Sequence, residues 1–154
     1  MPVVALPDEA ATAAFAARIS ELAVTGDIIA LKGDLGAGKT TFARAFLRAR
    51  GYEEEVPSPT FTLLQVYELD SATVWHFDLY RLRSPEEAWE LGIEDAFNEG
   101  ISLIEWPERL GPLMPGRRLE IGFEFGGRPE ARLATLDASE GNWRERLAGI
   151  VAHA

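Results

Sequence analysis

Nine successive residues, Gly33 to Thr41 (GDLGAGKTT), bring three glycines, a lysine and two threonine hydroxyls into one short segment. Gly33-x-x-x-x-Gly38-Lys39-Thr40 has the spacing of a phosphate-binding loop, a P-loop. Gly33, Gly36 and Gly38 can adopt backbone angles that other residues avoid, so successive N–H groups can point at one set of phosphate oxygens. A helix beginning within the loop adds its positive end and unpaired N–H groups to the same anion. Lys39 carries a mobile cation to the outer phosphates, and the Thr40 hydroxyl is suited to the Mg²⁺ that travels with ATP or GTP.

Such a site also needs a carboxylate at the tip of a neighbouring strand, holding Mg²⁺ directly or through water. Two positions qualify, Asp78 after Val74-Trp75-His76-Phe77 and Glu105 after Leu103-Ile104, and spacing alone leaves both open. Ser58-Pro59-Thr60-Phe61-Thr62 offers hydroxyls, Thr60 among them, that could sense a γ-phosphate, or is a proline turn leading into a strand. Alternation along a strand puts His76 and Asp78 on one face. Asp78 could orient an attacking water or a P-loop hydroxyl. His76 reads as a satisfied structural histidine, and Arg81 could pair with a carboxylate of the helix after Ser84. Trp106 follows Glu105 and could shield that carboxylate from water, dock a partner or simply pack. Arg128 falls at an expected hairpin tip, where it could reach a nucleotide or stay a solvated loop charge.

The elements that must position these residues follow from periodicity and breakers. Residues 27–31 form an apolar run of strand length before the loop, and residues 41–50 have helical periodicity, giving the strand–loop–helix order that a P-loop requires. A first helix is expected over residues 8–24, capped by Asp8, with Ala11, Phe15, Ile19 and Leu22 on one face. Strands are expected over residues 60–69, 73–77 and 101–104, and a hairpin over residues 119–125 and 131–136. Ser84-Pro85-Glu86-Glu87 reads as a capping box opening a helix to Leu91, followed by a short helix over residues 93–98. A last helix begins at Glu140 or Asn142, with Trp143, Leu147, Ile150 and Val151 on its buried face. The expectation is one α/β domain over residues 1–154, with a central mixed sheet flanked by helices and ligands bound at the carboxyl ends of its strands.

At 154 residues the chain can bury a real core but leaves little room for a separate acceptor-substrate domain. The absence of cysteine excludes disulfides, thiolate metal sites and Cys nucleophiles. A net charge of -10 disfavours tight direct binding to nucleic acid. No apolar run reaches membrane-spanning length and the first residues lack a signal-peptide pattern, so a cytoplasmic location without membrane attachment is expected.

The ordered motifs GDLGAGKTT, SPTFTL, HFDLYRL, SPEEAWELGIEDAF and ISLIEWPERLG resemble the bacterial TsaE family, also called YjeE, over nearly the whole chain. HFDLYRL and EWPE carry more specificity than the P-loop. The resemblance implies a weak, partner-dependent P-loop ATPase that acts with TsaD and TsaB in forming threonylcarbamoyladenosine in tRNAs reading codons that begin with A. Its part would be to reset or regulate the transferase, with tRNA met only through the complex. ATP and Mg²⁺ are the implied cofactors. Carried over residue by residue, Thr40 and Glu105 resemble the Mg²⁺ ligands, and Asp78 resembles the acidic residue needed for hydrolysis. Lys39 and Gly36, Ala37, Gly38, Thr40 and Thr41 resemble the phosphate site, Trp106 a functionally sensitive tryptophan, and Glu9 and Arg128 positions near the nucleotide. The alternatives are a small-molecule P-loop kinase, which also needs an acceptor pocket and usually an arginine-bearing lid, and a nucleotide-dependent binding module with negligible turnover.

Overall fold

Ile28-Ile29-Ala30-Leu31 is apolar at every position, the pattern of a parallel strand covered on both faces, and all of these residues are fully buried. They lie at the centre of a computed structural model that describes residues 2–57, 62–138 and 142–151. The chain runs through β1 (Val3–Leu6), α1 (Glu9–Leu22), β2 (Ile28–Lys32), α2 (Lys39–Ala49), β3 (Leu64–Glu68) and β4 (Thr73–Asp78). It continues through α3 (Pro85–Glu90), α4 (Ile93–Glu99), β5 (Ile101–Glu105), a 3-10 segment (Pro107–Leu113), β6 (Leu119–Phe125), β7 (Arg132–Asp137), α5 (Trp143–Arg146) and α6 (Ala148–Val151).

The strands form one mixed sheet in the order β1-β7-β6-β2-β5-β4-β3. The central strands β6, β2, β5 and β4 are mutually parallel, and β1, β7 and β3 join antiparallel towards the edges. The carboxyl ends of β2, β5 and β4 therefore lie at one edge of the sheet. Register fixes the alignment further, with Leu31 opposite Glu105 and Glu105 opposite Asp78.

Each face of the sheet has its own apolar cluster. Phe15 and Ile19 of α1 and Phe42 and Phe46 of α2 join Ile29, Leu31, Val74, Ile101 and Leu103 on one face. Ile28, Phe77 and Ile104 meet Ala88 of α3, Ile93 and Ala96 of α4 and Leu110 on the other. Full burial of side chains of this size stabilises by roughly 1.5–3 kcal/mol each, enough to fix the faces from which α2 and the strand tips approach one another. Among the described residues no helix is long and apolar enough to cross a membrane.

Local signals act largely as their chemistry dictates. Asp8 caps α1 by accepting from the Ala11 N–H at 2.8 Å. The short first strand β1 is absent from the sequence-based expectations, because four residues beside prolines show little periodicity and gain their strand form from pairing with β7. The expected strand from Thr60 begins at Leu64, and residues 58–61, with Thr60, lie outside the described residues. Pro85 does stand at the first helical position of α3, but the capping box is not made, since the Ser84 side chain forms no cap hydrogen bond. Glu87 instead accepts from the Arg83 backbone N–H at 3.0 Å and approaches the Arg83 guanidinium at 3.9 Å, which draws its carboxylate past Ser84. Of the carboxylates of that helix, Glu87 is paired by Arg83.

The last helical turns are tied back by Arg146. Its guanidinium makes a two-pronged contact with Asp27 (2.7 and 2.9 Å), donates to the Leu22 carbonyl at 2.9 Å and lies 3.8 Å from the Trp143 ring centroid. Arg146→Ala is expected to lower stability by about 2 kcal/mol, measured by urea unfolding. A loss within experimental error would show that α5 is anchored by its apolar face alone.

Candidate functional site

The loop between β2 and α2 begins where β2 leaves the sheet, and its glycines take conformations that side chains resist. Gly33 has φ +140° and Gly38 has φ +117°. A Cβ on Gly33 would lie 2.7 Å from the Phe123 carbonyl oxygen, so β6 presses the loop against its own strand end. α2 starts at Lys39 without a side-chain cap, leaving its first N–H groups directed into the loop.

Of the polar side chains buried among the described residues, Lys39, His76, Asp78 and Glu105 gather at this corner. Glu105 ends β5 and is 2% exposed. A buried carboxylate is costly unless it is hydrogen-bonded, and here both oxygens have donors. Thr40 Oγ1 donates to Glu105 Oε1 at 2.9 Å and lies 3.2 Å from Oε2. His76 Nε2 lies 2.7 Å from Oε2. Asp78, opposite Glu105 in register, is likewise buried, and its Oδ1 accepts from the Tyr80 N–H at 3.1 Å.

Lys39 folds back onto its own loop. Its ammonium donates to the carbonyl of Gly33 and, at 3.3 Å, to that of Asp34. It also lies 3.6 Å from the centroid of the Trp106 ring. Burial pushes the Lys39 ammonium below the ordinary lysine value of 10.5, against the opposing pull of Glu105, Glu108, Asp78 and Asp34. Trp106 reaches the lysine because its backbone is left-handed (φ 60°, ψ 51°), a conformation that costs a bulky residue about 1–3 kcal/mol. Tyr80 supports the indole from beside it, with ring centroids 4.9 Å apart.

Two clefts meet at the loop. The first, of about 230 Å³, is walled by Lys39, Thr40, Asp78, Glu105 and Trp106. The second, of about 320 Å³, is walled by Glu9, Thr12, Pro129, Glu130 and Arg132. Gly36, Gly38 and Thr41 border both, so the loop is a saddle between them. Ala37 is buried beneath it, its N–H donating to the Asp34 carbonyl at 3.0 Å.

The sequence-derived residues Lys39, Thr40, Asp78, Glu105 and Trp106 thus share one cleft, and Glu9 lines the other. Arg128 is placed differently, with its side chain 71% exposed and 4.0 Å from Glu130. The cation that does line the second cleft is Arg132, which donates to the Gly36 carbonyl at 3.1 Å and lies 4.8 Å from the Phe125 ring. No motif marks Arg132; the only available signal was its place at the start of a strand returning towards the loop. The His76 contact was also missed, although the shared face of His76 and Asp78 was expected, because it depends on the neighbouring strand.

Known proteins similar to this chain carry one family name. The family model for threonylcarbamoyl adenosine biosynthesis protein TsaE matches residues 6–132. A Rickettsia felis protein named tRNA threonylcarbamoyladenosine biosynthesis protein TsaE is 42% identical over 120 residues, covering 77% of this chain and 70% of its own. A protein of the same name from Bacillus subtilis is 36% identical over 128 residues, covering 82% of this chain and 78% of its own. The crystal structure of YdiB from Bacillus subtilis superposes with a TM-score of 0.79 at 29% identity, covering 98% of this chain and 93% of YdiB.

Gly33→Ala is expected to cost about 1–3 kcal/mol, because the added Cβ meets backbone that cannot turn aside. Thermal unfolding checks it; an unchanged midpoint would mean that β6 does not confine the loop.

Proposed function

The chain belongs to the TsaE family of threonylcarbamoyl adenosine biosynthesis proteins, and from that premise we propose that it is the ATPase subunit acting with TsaD and TsaB to form threonylcarbamoyladenosine on tRNA. It regulates or resets the transferase and does not itself transfer the threonylcarbamoyl group. The observation that carries this reading is the Thr40–Glu105 contact at the mouth of a P-loop, with Asp78 in register across from Glu105.

In this reading the phosphates occupy the first cleft and the nucleoside extends over the loop into the second, between Glu9 and Arg132. Lys39 exchanges the carbonyls of Gly33 and Asp34 for phosphate oxygens, which compensate its buried charge better than neutral carbonyls do. Thr40 and Glu105 are the residues that would hold Mg²⁺. Their donor set fits, being hard oxygens. Among the described residues no three His, Asp or Glu side chains form a self-sufficient cation site, as is usual where phosphates complete the coordination. When bound, the ion neutralises charge on the phosphate oxygens. Asp78 orients a water for in-line attack and accepts its proton. Trp106, held over Lys39, limits bulk water on that side. The net charge of -10 agrees with a protein that reaches tRNA through its partners.

The test is phosphate release from ATP by the purified chain, alone and mixed with TsaD and TsaB. Partners should raise turnover, and modification of tRNA should depend on the chain. Asp78→Asn should lower hydrolysis by about 100-fold or more while ATP affinity stays within a small factor. Hydrolysis indifferent to the partners, or phosphate delivered to a small-molecule acceptor, would sink the proposal.

Lys39 gives a pH dependence whose sign is fixed. Its value lies below 10.5 without nucleotide and is raised by neighbouring phosphates, so binding favours the protonated form. Affinity for ATP should therefore be level at lower pH and fall as pH climbs through the lowered Lys39 value. Calorimetric titration at successive pH values checks this, and Lys39→Arg should flatten the fall.

A further inference from the structure

We infer that His76 is a positioning residue, holding the Glu105 carboxylate in the orientation in which Glu105 and Thr40 together receive a divalent cation. This rests on the reading of Glu105 as a metal ligand. His76 is fully buried on β4, a strand covered by β5 on one side and β3 on the other. Its register partner on β5 is Leu103, which places Glu105 diagonally across on the same face.

The hydrogen-bond pattern divides the carboxylate between two donors. A carboxylate only accepts, so the hydrogen of the 2.7 Å contact sits on His76 Nε2. Thr40 serves the other oxygen at 2.9 Å. The last torsion of a glutamate side chain is broad, so a carboxylate held by Thr40 alone could turn about its own axis. Two donors from different elements, β4 and α2, remove that freedom.

The ring's second nitrogen strengthens the case. Among the described residues, His76 Nδ1 is buried and has no hydrogen-bond partner. A histidine kept for packing alone would be expected to satisfy both nitrogens, or to be replaced by an apolar residue at no polar cost. Here Glu105 is the ring's polar partner. The arrangement matches the outer-shell donors that orient metal-binding side chains and tune their affinity.

The test measures the Mg²⁺ concentration at which binding of the non-hydrolysable analogue adenylyl imidodiphosphate reaches half of its metal-dependent change. The analogue's affinity in EDTA and the melting temperature are read alongside. Glu105→Gln and His76→Phe should each raise the Mg²⁺ midpoint by about 10- to 100-fold, with metal-free affinity little changed. His76→Gln, whose amide nitrogen reaches nearly as far as Nε2, should stay close to the parent. His76→Asn, too short to reach Glu105, should behave like His76→Phe. If His76→Phe does not fold, the Gln and Asn pair decides the matter. Should Glu105→Gln move the midpoint while the histidine variants do not, His76 only packs and the inference fails with the metal reading intact. Should Glu105→Gln leave it unmoved, Glu105 is not the ligand and both readings fall.

Discussion

The parallel register of β2, β5 and β4 decides which side chains meet in this protein. Parallel strands end at one edge, and the pairing of Leu31 with Glu105 and of Glu105 with Asp78 brings the two acidic strand tips level with the point where the loop departs. A slip of one residue in β4 or β5 would turn Asp78 or Glu105 to the opposite face, away from α2. The apolar clusters on the two faces oppose such a slip, because Val74 and Leu103 belong to one and Phe77 and Ile104 to the other. Core packing and site geometry are thus the same constraint seen from different sides.

Within that frame, the charged groups of the proposed nucleotide site each have polar partners of their own. Glu105 is shared by Thr40 and His76, while Lys39 bridges loop carbonyls under the Trp106 ring. Such a network keeps buried charge tolerable without a ligand. It also means that a phosphate must displace contacts already made, so part of the gross binding energy goes into exchange. A site wired in this way suits a protein whose nucleotide state is meant to be adjustable, which agrees with the regulatory role proposed.

Legibility in the sequence followed the range of the interactions. The P-loop, the central strand and the two carboxylates could be read because each depends on neighbours within a few residues. Spacing left Asp78 and Glu105 equivalent at that level, and the feature that distinguishes them, Thr40 lying beside Glu105, is a contact across 65 positions. β1 escaped notice because its strand form is set by β7. Arg132 and His76 escaped for a similar reason, their roles arising from what a returning strand or an adjacent strand supplies. The capping box is not made: the Ser84 side chain caps nothing, and Glu87 accepts from the backbone N–H of Arg83, one residue before Ser84. Arg128 and Arg132 differ by four positions in a hairpin, and only the course of β7 settles which one faces the loop.

The pairing of β1 with β7 carries a consequence for biosynthesis. The strand made first must wait for one of the last before it can join the sheet. Contacts this distant in sequence close slowly, while α1, α2 and the strand between them can associate early. The same late strand begins with Arg132, which walls the second cleft. On the ribosome, the second cleft is therefore walled on this side only once β7, the last strand of the sheet among the described residues, has been made.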